Sequence, residues 1–187
     1  RDWAPGCTVT MVDGITEGAA CTVLLARDLI APEEPLMIAN CDQYIDTDIN
    51  TYLDALGEAD GLIMTMWADD PKWSFGRRDD NGRVVQVVEK EVVSNEATVG
   101  IYNFSRGRDF LRAADQMIAA GNRVNGEFYV APAYDVLIDA GARIECSGIG
   151  TVGAGMHGIG TPADLDAFLE TDVSRRAAQS ATNGRVR

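Results

Sequence analysis

The sequence predicts a single α/β domain, three-layered (α/β/α), on a mixed, mostly parallel sheet. Three observations carry that reading. Short β-rich apolar runs alternate with stretches of helical spacing, in the order β-α-β-α-β, then a β-rich insertion, then α, α, β and α. The run Leu36 to Asn40 is bounded by Pro35 and stops at Asp42, which suits a buried strand of a parallel sheet better than a helix. The 187 residues, 46% hydrophobic and 24% charged, suffice for one domain with a sizeable core.

Each element has a local reason. Thr8 to Val12 reads as a strand, and Asp13-Gly14 and Glu17-Gly18 punctuate the loop after it. Ala19 to Ile30 is Ala/Leu-rich and predicts a helix, with Pro32 beyond its end. Asp48 is placed to cap a helix over Ile49 to Leu56. Gly61 to Met66 is a strand. Trp73 to Glu89 predicts a hairpin, with valines at 84, 85, 87 and 88 and a turn at Asp79-Asp80-Asn81-Gly82. Thr98 to Phe104 is a further strand. Phe110, Leu111, Ala114, Met117 and Ile118 fall at helical spacing and end at Gly121. A helix over Ala131 to Ala140, ending at Gly141, and a strand over Arg143 to Ile149 follow. Six glycines from Gly148 to Gly160 predict a flexible loop. Thr161 and Pro162 open a last helix, with Leu165, Phe168 and Leu169 on one face. Residues 1–172 therefore form the domain, and the polar stretch 173–187 is expected to be a disordered tail.

The net charge of -13 excludes an ordinary nucleic-acid binder, which needs a basic face. It also means that an anionic substrate requires local cations or a metal. No apolar run approaches the roughly 18 residues of a membrane-spanning helix, and no signal peptide is visible, so a cytoplasmic protein with no membrane partner is expected. The cysteines at 7, 21, 41 and 146 lack metal-site spacing and read as reduced, mostly buried thiols. His157, the one histidine, has no Ser or Cys motif beside it and reads as structural. Trp67 and Trp73 read as packing residues around the insertion.

The chemistry is concentrated after Leu36-Met37-Ile38-Ala39-Asn40, where Asp42, Asp46 and Asp48 follow within a few residues. Ligands of open α/β sheets bind beyond the carboxyl ends of strands. A carboxylate there can hold Mg²⁺, which typically takes one or two carboxylates plus substrate phosphates.

Several motifs then align in order: Thr16-Glu17-Gly18-Ala19-Ala20, Asn40-Cys41-Asp42, Val88-Glu89-Lys90, Thr98-Val99-Gly100-Ile101-Tyr102, Asn125-Gly126-Glu127-Phe128-Tyr129 and Gly160-Thr161-Pro162-Ala163-Asp164-Leu165. Over about residues 8 to 170 the chain resembles the sugar-phosphate nucleotidyltransferases, the pyrophosphorylases of nucleoside-diphosphate sugars, and looks closest to their glucose-1-phosphate thymidylyltransferase-like branch. The resemblance implies a Rossmann-like (GT-A-like) sheet and transfer of a nucleoside monophosphate from an NTP to a sugar 1-phosphate, with release of pyrophosphate. It implies Mg²⁺ as cofactor, NTP and sugar 1-phosphate as partners, and a role in polysaccharide biosynthesis. Homo-oligomerisation stays open.

By the resemblance, Asp42 and Lys90 would be catalytic, Asp42 as the metal ligand and Lys90 against phosphate. Thr16, Glu17, Gly18, Ala19, Asn40 and Cys41 would bind the nucleotide, with Gly18 and Ala19 leaving room for a flat base. Glu89, Gly100, Tyr102 and Glu127 would contact the sugar, with Gly100 letting it approach the backbone.

Two departures accompany the match. The family's N-terminal glycine-rich loop, with its arginine and lysine-proline pair, has no counterpart, so the chain reads as truncated and, alone, inactive or nearly so. Gly158 stands where many relatives carry a second metal-binding aspartate. Two alternatives remain open: a glycosyltransferase using Asp46-Thr47-Asp48 for Mn²⁺ with a nucleotide-sugar donor, and a non-catalytic nucleotide-binding domain.

Overall fold

In the computed structural model of the chain, residues 6–183 are described. The strands are β1 (Leu36–Ala39), β2 (Gln43–Ile45), β3 (Gly61–Trp67), β4 (Ser74–Arg78), β5 (Val84–Glu89), β6 (Glu96–Phe104), β7 (Ile144–Val152) and β8 (Gly155–Gly158). The helices are α1 (Ala19–Leu24), α2 (Ile49–Asp54), α3 (Gly107–Ala119), α4 (Ala133–Asp139), α5 (Pro162–Leu169) and α6 (Asp172–Asn183). The strands form one sheet in the order β2-β8-β7-β3-β6-β4-β5, with β1 also on β6.

The layered α/β class stands, and the sheet is mixed. Its balance differs from expectation, because antiparallel pairings predominate and only β3–β7 and β7–β8 are parallel. Parallel pairing needs a long crossover. For β3–β7 that connection is the whole passage from β4 through α4, whereas β7 and β8 are joined by only two residues and their parallel ladder is limited to Thr151↔Gly155 and Val152↔Met156. Elsewhere the links are short. β1 is likewise no buried parallel strand. It pairs antiparallel with β6, and only Ile38 of its four residues is buried.

β6 organises the sheet. One edge takes β3, from Gly61↔Phe104 to Trp67↔Glu96. The other edge is shared: β4 meets it at Phe75↔Ala97, and β1 runs from Ala39↔Ile101 to Leu36↔Phe104. The changeover falls at Gly100, whose φ of 76° lies in the left-handed region. A Cβ there would stand 2.7 Å from Asn40 Cγ, so Gly100 admits the Asn40 side chain against the strand.

The sheet separates two hydrophobic clusters, and β3 feeds both by alternation. Ile63 joins Phe104, Phe110 and Tyr134 under α3 and α4, while Leu62, Met64 and Met66 join Tyr52 of α2. Phe104 stacks on Tyr134 at 4.6 Å between ring centroids. Asn103 ties the layers together: its carbonyl accepts from Tyr134 Oη at 2.9 Å and its Oδ1 from Tyr52 Oη at 2.8 Å.

Several expectations are corrected. Residues 8–12 form no strand and are exposed, because no ladder partner lies beside them among the described residues. The first helix is only Ala19–Leu24, followed by a 3₁₀ turn at Arg27–Leu29 that brings Ile30 onto the core. The glycine-rich segment is not a loop, since β7 extends to Val152 and Gly155–Gly158 forms β8. Gly150 and Gly155 make this possible: each has positive φ, and each packs against a backbone carbonyl where no side chain fits. Leu165 and Leu169 are exposed, leaving Phe168 to dock α5 on Tyr44 and His157. Cys7 and Cys41 are exposed and Cys21 and Cys146 half-buried, so the thiols are free but not mostly buried. The expected disordered tail is helical over Asp172–Asn183. Its start is capped by Thr171 Oγ1, which accepts from Ser174 N at 3.1 Å, and Arg176 reaches Asp46 at 2.9 Å. Capping and ion pairs thus order a segment that lacks an apolar stripe. The rest of that expectation, residues 184–187, lies outside the described residues.

Two contacts generate tests. Phe128 N donates to Glu17 O at 2.8 Å and Ala20 N to Phe128 O at 3.0 Å, clasping the start of α1 to the segment before α4. Gly18 permits this, having a φ of 127° and a position where a Cβ would lie 2.6 Å from Phe128 N. Gly18→Ala should therefore cost about 2 kcal/mol or more in urea unfolding. Gly57→Ala, with positive φ but open space around it, should cost about 1 kcal/mol. Equal costs would show that the Phe128 backbone does not crowd Gly18.

Asp135 Oδ1 accepts from Val87 N at 2.6 Å, tying α4 to β5. Burial pushes this carboxyl up to about 6, with nearby Asp139 adding and the Val87 bond and Arg77 opposing. The folded value lies above that of an unfolded aspartate, about 3.9. Protonation therefore favours the fold, and stability falls as pH rises from about 4 to about 6. Asp135→Asn keeps an acceptor for Val87. Its stability relative to the parent should rise across that window by on the order of 1 kcal/mol and stay level above it. A difference that is flat from pH 4 to 8 would refute the assignment.

Candidate functional site

Where β1 and β4 diverge along the shared edge of β6, a cavity of about 260 Å³ opens. Its floor is β6, through Thr98, Val99, Gly100 and Tyr102. One wall is β4 with the end of β5, through Ser74, Glu89 and Lys90. The other carries Asn40 and Gln43 from the segment joining β1 to β2, and Ala19, Tyr129 and Val130 close the end. Lys72 and Trp73 form the rim.

The electrostatics of this cavity are particular. Glu89 is held by a hydrogen bond from Ser74 Oγ. Burial raises its pKa, opposed by the Ser74 bond and by Lys90. Lys90 has a φ of 59°, a left-handed conformation in a non-glycine residue, and its N–H donates to Trp73 O at 3.0 Å. Such positions cost about 1–3 kcal/mol and cluster at functional sites. Its ammonium donates to Tyr129 Oη at 2.6 Å and lies 4.7 Å from the centre of that ring. The Tyr129 bond, with help from Glu89 and Glu127, raises the Lys90 pKa, so it stays cationic. Tyr102 Oη pairs with Thr98 Oγ1 at 3.1 Å.

Of the residues singled out in sequence, Glu89, Lys90, Gly100, Tyr102, Asn40 and Ala19 come together in the cavity wall. Thr16, Glu17, Gly18, Cys41, Asp42 and Glu127 do not line it. Thr16 and Gly18 shape the turn into α1, where Thr22 N donates to Gly18 O at 3.1 Å. The Phe128 backbone packs against Gly18 and the Asn40 side chain against Gly100, each where a Cβ would otherwise stand. Glu17 pairs with Arg123, whose guanidinium lies 4.1 Å from the Phe128 ring.

Asp42 is exposed, between cavity residues Asn40 and Gln43. Its carbonyl accepts from Ile159 N at 2.9 Å, and Gly160 gives its carboxylate room. Asp46 is paired with Arg176, and Asp48 caps α2 by accepting from Asn50 N at 2.8 Å. These aspartates are thus engaged and do not form the free pair that the glycosyltransferase alternative requires. Among the described residues no group of three or more His, Cys, Asp and Glu side chains is arranged to hold a metal. A single carboxylate at Asp42 fits a cation such as Mg²⁺ whose remaining ligands are substrate phosphates and water. His157 is buried between Tyr44 and Phe168, as a packing residue.

Sequence reasoning missed Ser74, Gln43, Lys72 and Tyr129. Tyr129 stood inside a recognised motif, but its approach to Lys90 spans 39 positions and follows from the fold. Trp73 combines packing with a place on the rim, whereas Trp67 is exposed. No described helix is long and apolar enough to cross a membrane.

No protein-family model and no curated protein matches the sequence. Solved structures do. The nucleoside-diphosphate-sugar pyrophosphorylase from Vibrio cholerae RC9 superimposes with a TM-score of 0.71 at 26% identity, over 86% of this chain and 68% of that one. A protein from Bacillus anthracis described as a glucose-1-phosphate thymidylyltransferase, in complex with sucrose, gives 0.65 at 17% identity, over 84% of this chain and 61% of its own. HddC from Yersinia pseudotuberculosis, complexed with GMP-PN, gives 0.52 at 17% identity, over 84% of this chain and 63% of its own. The chain thus spans under two thirds of the latter two. Its structural neighbours are nucleoside-diphosphate-sugar pyrophosphorylase and glucose-1-phosphate thymidylyltransferase-like proteins, and its mixed α/β sheet has the nucleotidyltransferase fold.

Proposed function

We propose that the protein is a sugar-phosphate nucleotidyltransferase that joins a nucleoside monophosphate from an NTP to a sugar 1-phosphate, for nucleotide-sugar and polysaccharide biosynthesis. The observation that carries this reading is the cavity on β6. A half-buried carboxylate, Glu89, and an ammonium, Lys90, stand side by side there, in a fold shared with the pyrophosphorylase from Vibrio cholerae. Glu89 accepts hydrogen bonds from sugar hydroxyls, and Asn40 and Gln43 offer amide groups to the same ligand. Lys90 holds the phosphate in an otherwise acidic protein.

In the reaction an oxygen of the sugar phosphate attacks the α-phosphorus. The new P–O bond forms as the bond to the β-phosphate oxygen breaks, and pyrophosphate leaves. Little covalent chemistry is asked of the protein, whose residues position the two phosphates and offset their charge. Asp42 would hold Mg²⁺, which neutralises phosphate charge. The turn into α1, from Thr16 to Ala19, and the segment Asn40-Cys41 form the nucleotide side, and Gly100, Tyr102 and Glu127 support the sugar side.

The test is pyrophosphate release by the full-length protein, with each of the NTPs against a panel of sugar 1-phosphates. Release should require both substrates and Mg²⁺ and should stop with EDTA. Asp42→Asn should lower kcat/KM about 100-fold or more, in line with several kcal/mol of lost charge stabilisation. Turnover of a nucleotide-sugar to a nucleoside diphosphate, without pyrophosphate release from any pair, would overturn the reading in favour of glycosyl transfer.

A further inference from the structure

The pairing of Lys90 with Tyr129 carries an inference that deepens, and rests on, the function proposed above. An ammonium has donors only. In the 2.6 Å contact the Tyr129 oxygen is therefore the acceptor, and its own proton is left to donate elsewhere. Among the described residues that hydroxyl has no acceptor, and both side chains line the cavity on β6.

Neither residue is free to wander. Lys90 is fixed at a left-handed backbone position with its N–H on Trp73 O. Tyr129 follows Phe128, whose backbone is clasped to Glu17 and Ala20, and precedes buried Val130. A hydroxyl bonded to a cation is polarised into a stronger donor. The pair thus presents two adjacent donors, Nζ–H and Oη–H, to one side of the cavity, and such a pair is satisfied by an anionic oxygen acceptor.

We propose that Tyr129 is a substrate-binding residue. Its hydroxyl and the Lys90 ammonium form a two-donor clamp on the phosphate of the phosphorylated sugar. The clamp also links the two sides of the site, because the backbone that places Tyr129 is bonded to the turn into α1.

The test has two readouts. In the full-length protein, Tyr129→Phe keeps the ring against the ammonium and removes only the donor. The KM for the sugar 1-phosphate should rise about 10- to 100-fold, as for loss of a hydrogen bond to a charged group, while the KM for the NTP stays within twofold. The second readout needs no turnover. Correlated ¹³Cε/¹⁵Nζ NMR of lysine-labelled protein, with the Lys90 signal assigned by Lys90→Arg, is followed during titration with inorganic phosphate. Phosphate should move the Lys90 signal, with an affinity about 10- to 100-fold weaker in Tyr129→Phe. Equal phosphate affinity in parent and variant, or a Lys90 signal that phosphate does not move, would overturn the clamp even in an active enzyme. Weakened phosphate binding in a protein that releases no pyrophosphate from any pair would support the clamp and remove the proposed reaction.

Discussion

Everything at the site depends on one edge of β6 serving two partners. β4 holds that edge near Ala97 and β1 holds it from Ile101 onward, and no strand can cover the stretch between. Gly100 makes the handover possible, since its positive φ turns the strand and its missing side chain admits Asn40. The cavity is the space left by that divergence. Its floor is therefore a rigid, buried strand, while its walls are the ends of two others, which is where polar side chains can project without disturbing the core.

Charge explains the rest of the arrangement. In a chain of net charge -13, a cation facing a pocket must be held against many carboxylates. Lys90 is kept there by a strained backbone position and by Tyr129, while Glu89 is partly desolvated and steadied by Ser74. Opposite charges are thus placed side by side without cancelling as a direct ion pair. Asp42 stands apart from this group on an exposed turn that Ile159 N and Gly160 secure, so the carboxylate best suited to a cation is separate from the one suited to sugar hydroxyls.

Much of this was legible locally. Asp48 and Thr161 cap the helices that their positions announce, and the turn after Asp79 closes the β4–β5 hairpin as its Asn-Gly pair suggests. Residues 8–12 failed as a strand because an apolar run says nothing about whether a ladder partner exists. Residues 173–183 failed as a disordered tail because a polar helix can rest on a cap and ion pairs rather than an apolar stripe.

The sequence by itself determined the helical and extended periods, the caps, the acidic character and the ordered motifs that group Glu89, Lys90, Gly100 and Tyr102. These depend on neighbours within a few positions. Only the tertiary structure decided that the sheet is chiefly antiparallel, that Gly18 makes room for Phe128 and that Asp46 is spent on Arg176. It also decided that Tyr129 meets Lys90. Each of these joins residues far apart in the chain, and such contacts are chosen by the packing of whole layers, which no local pattern encodes.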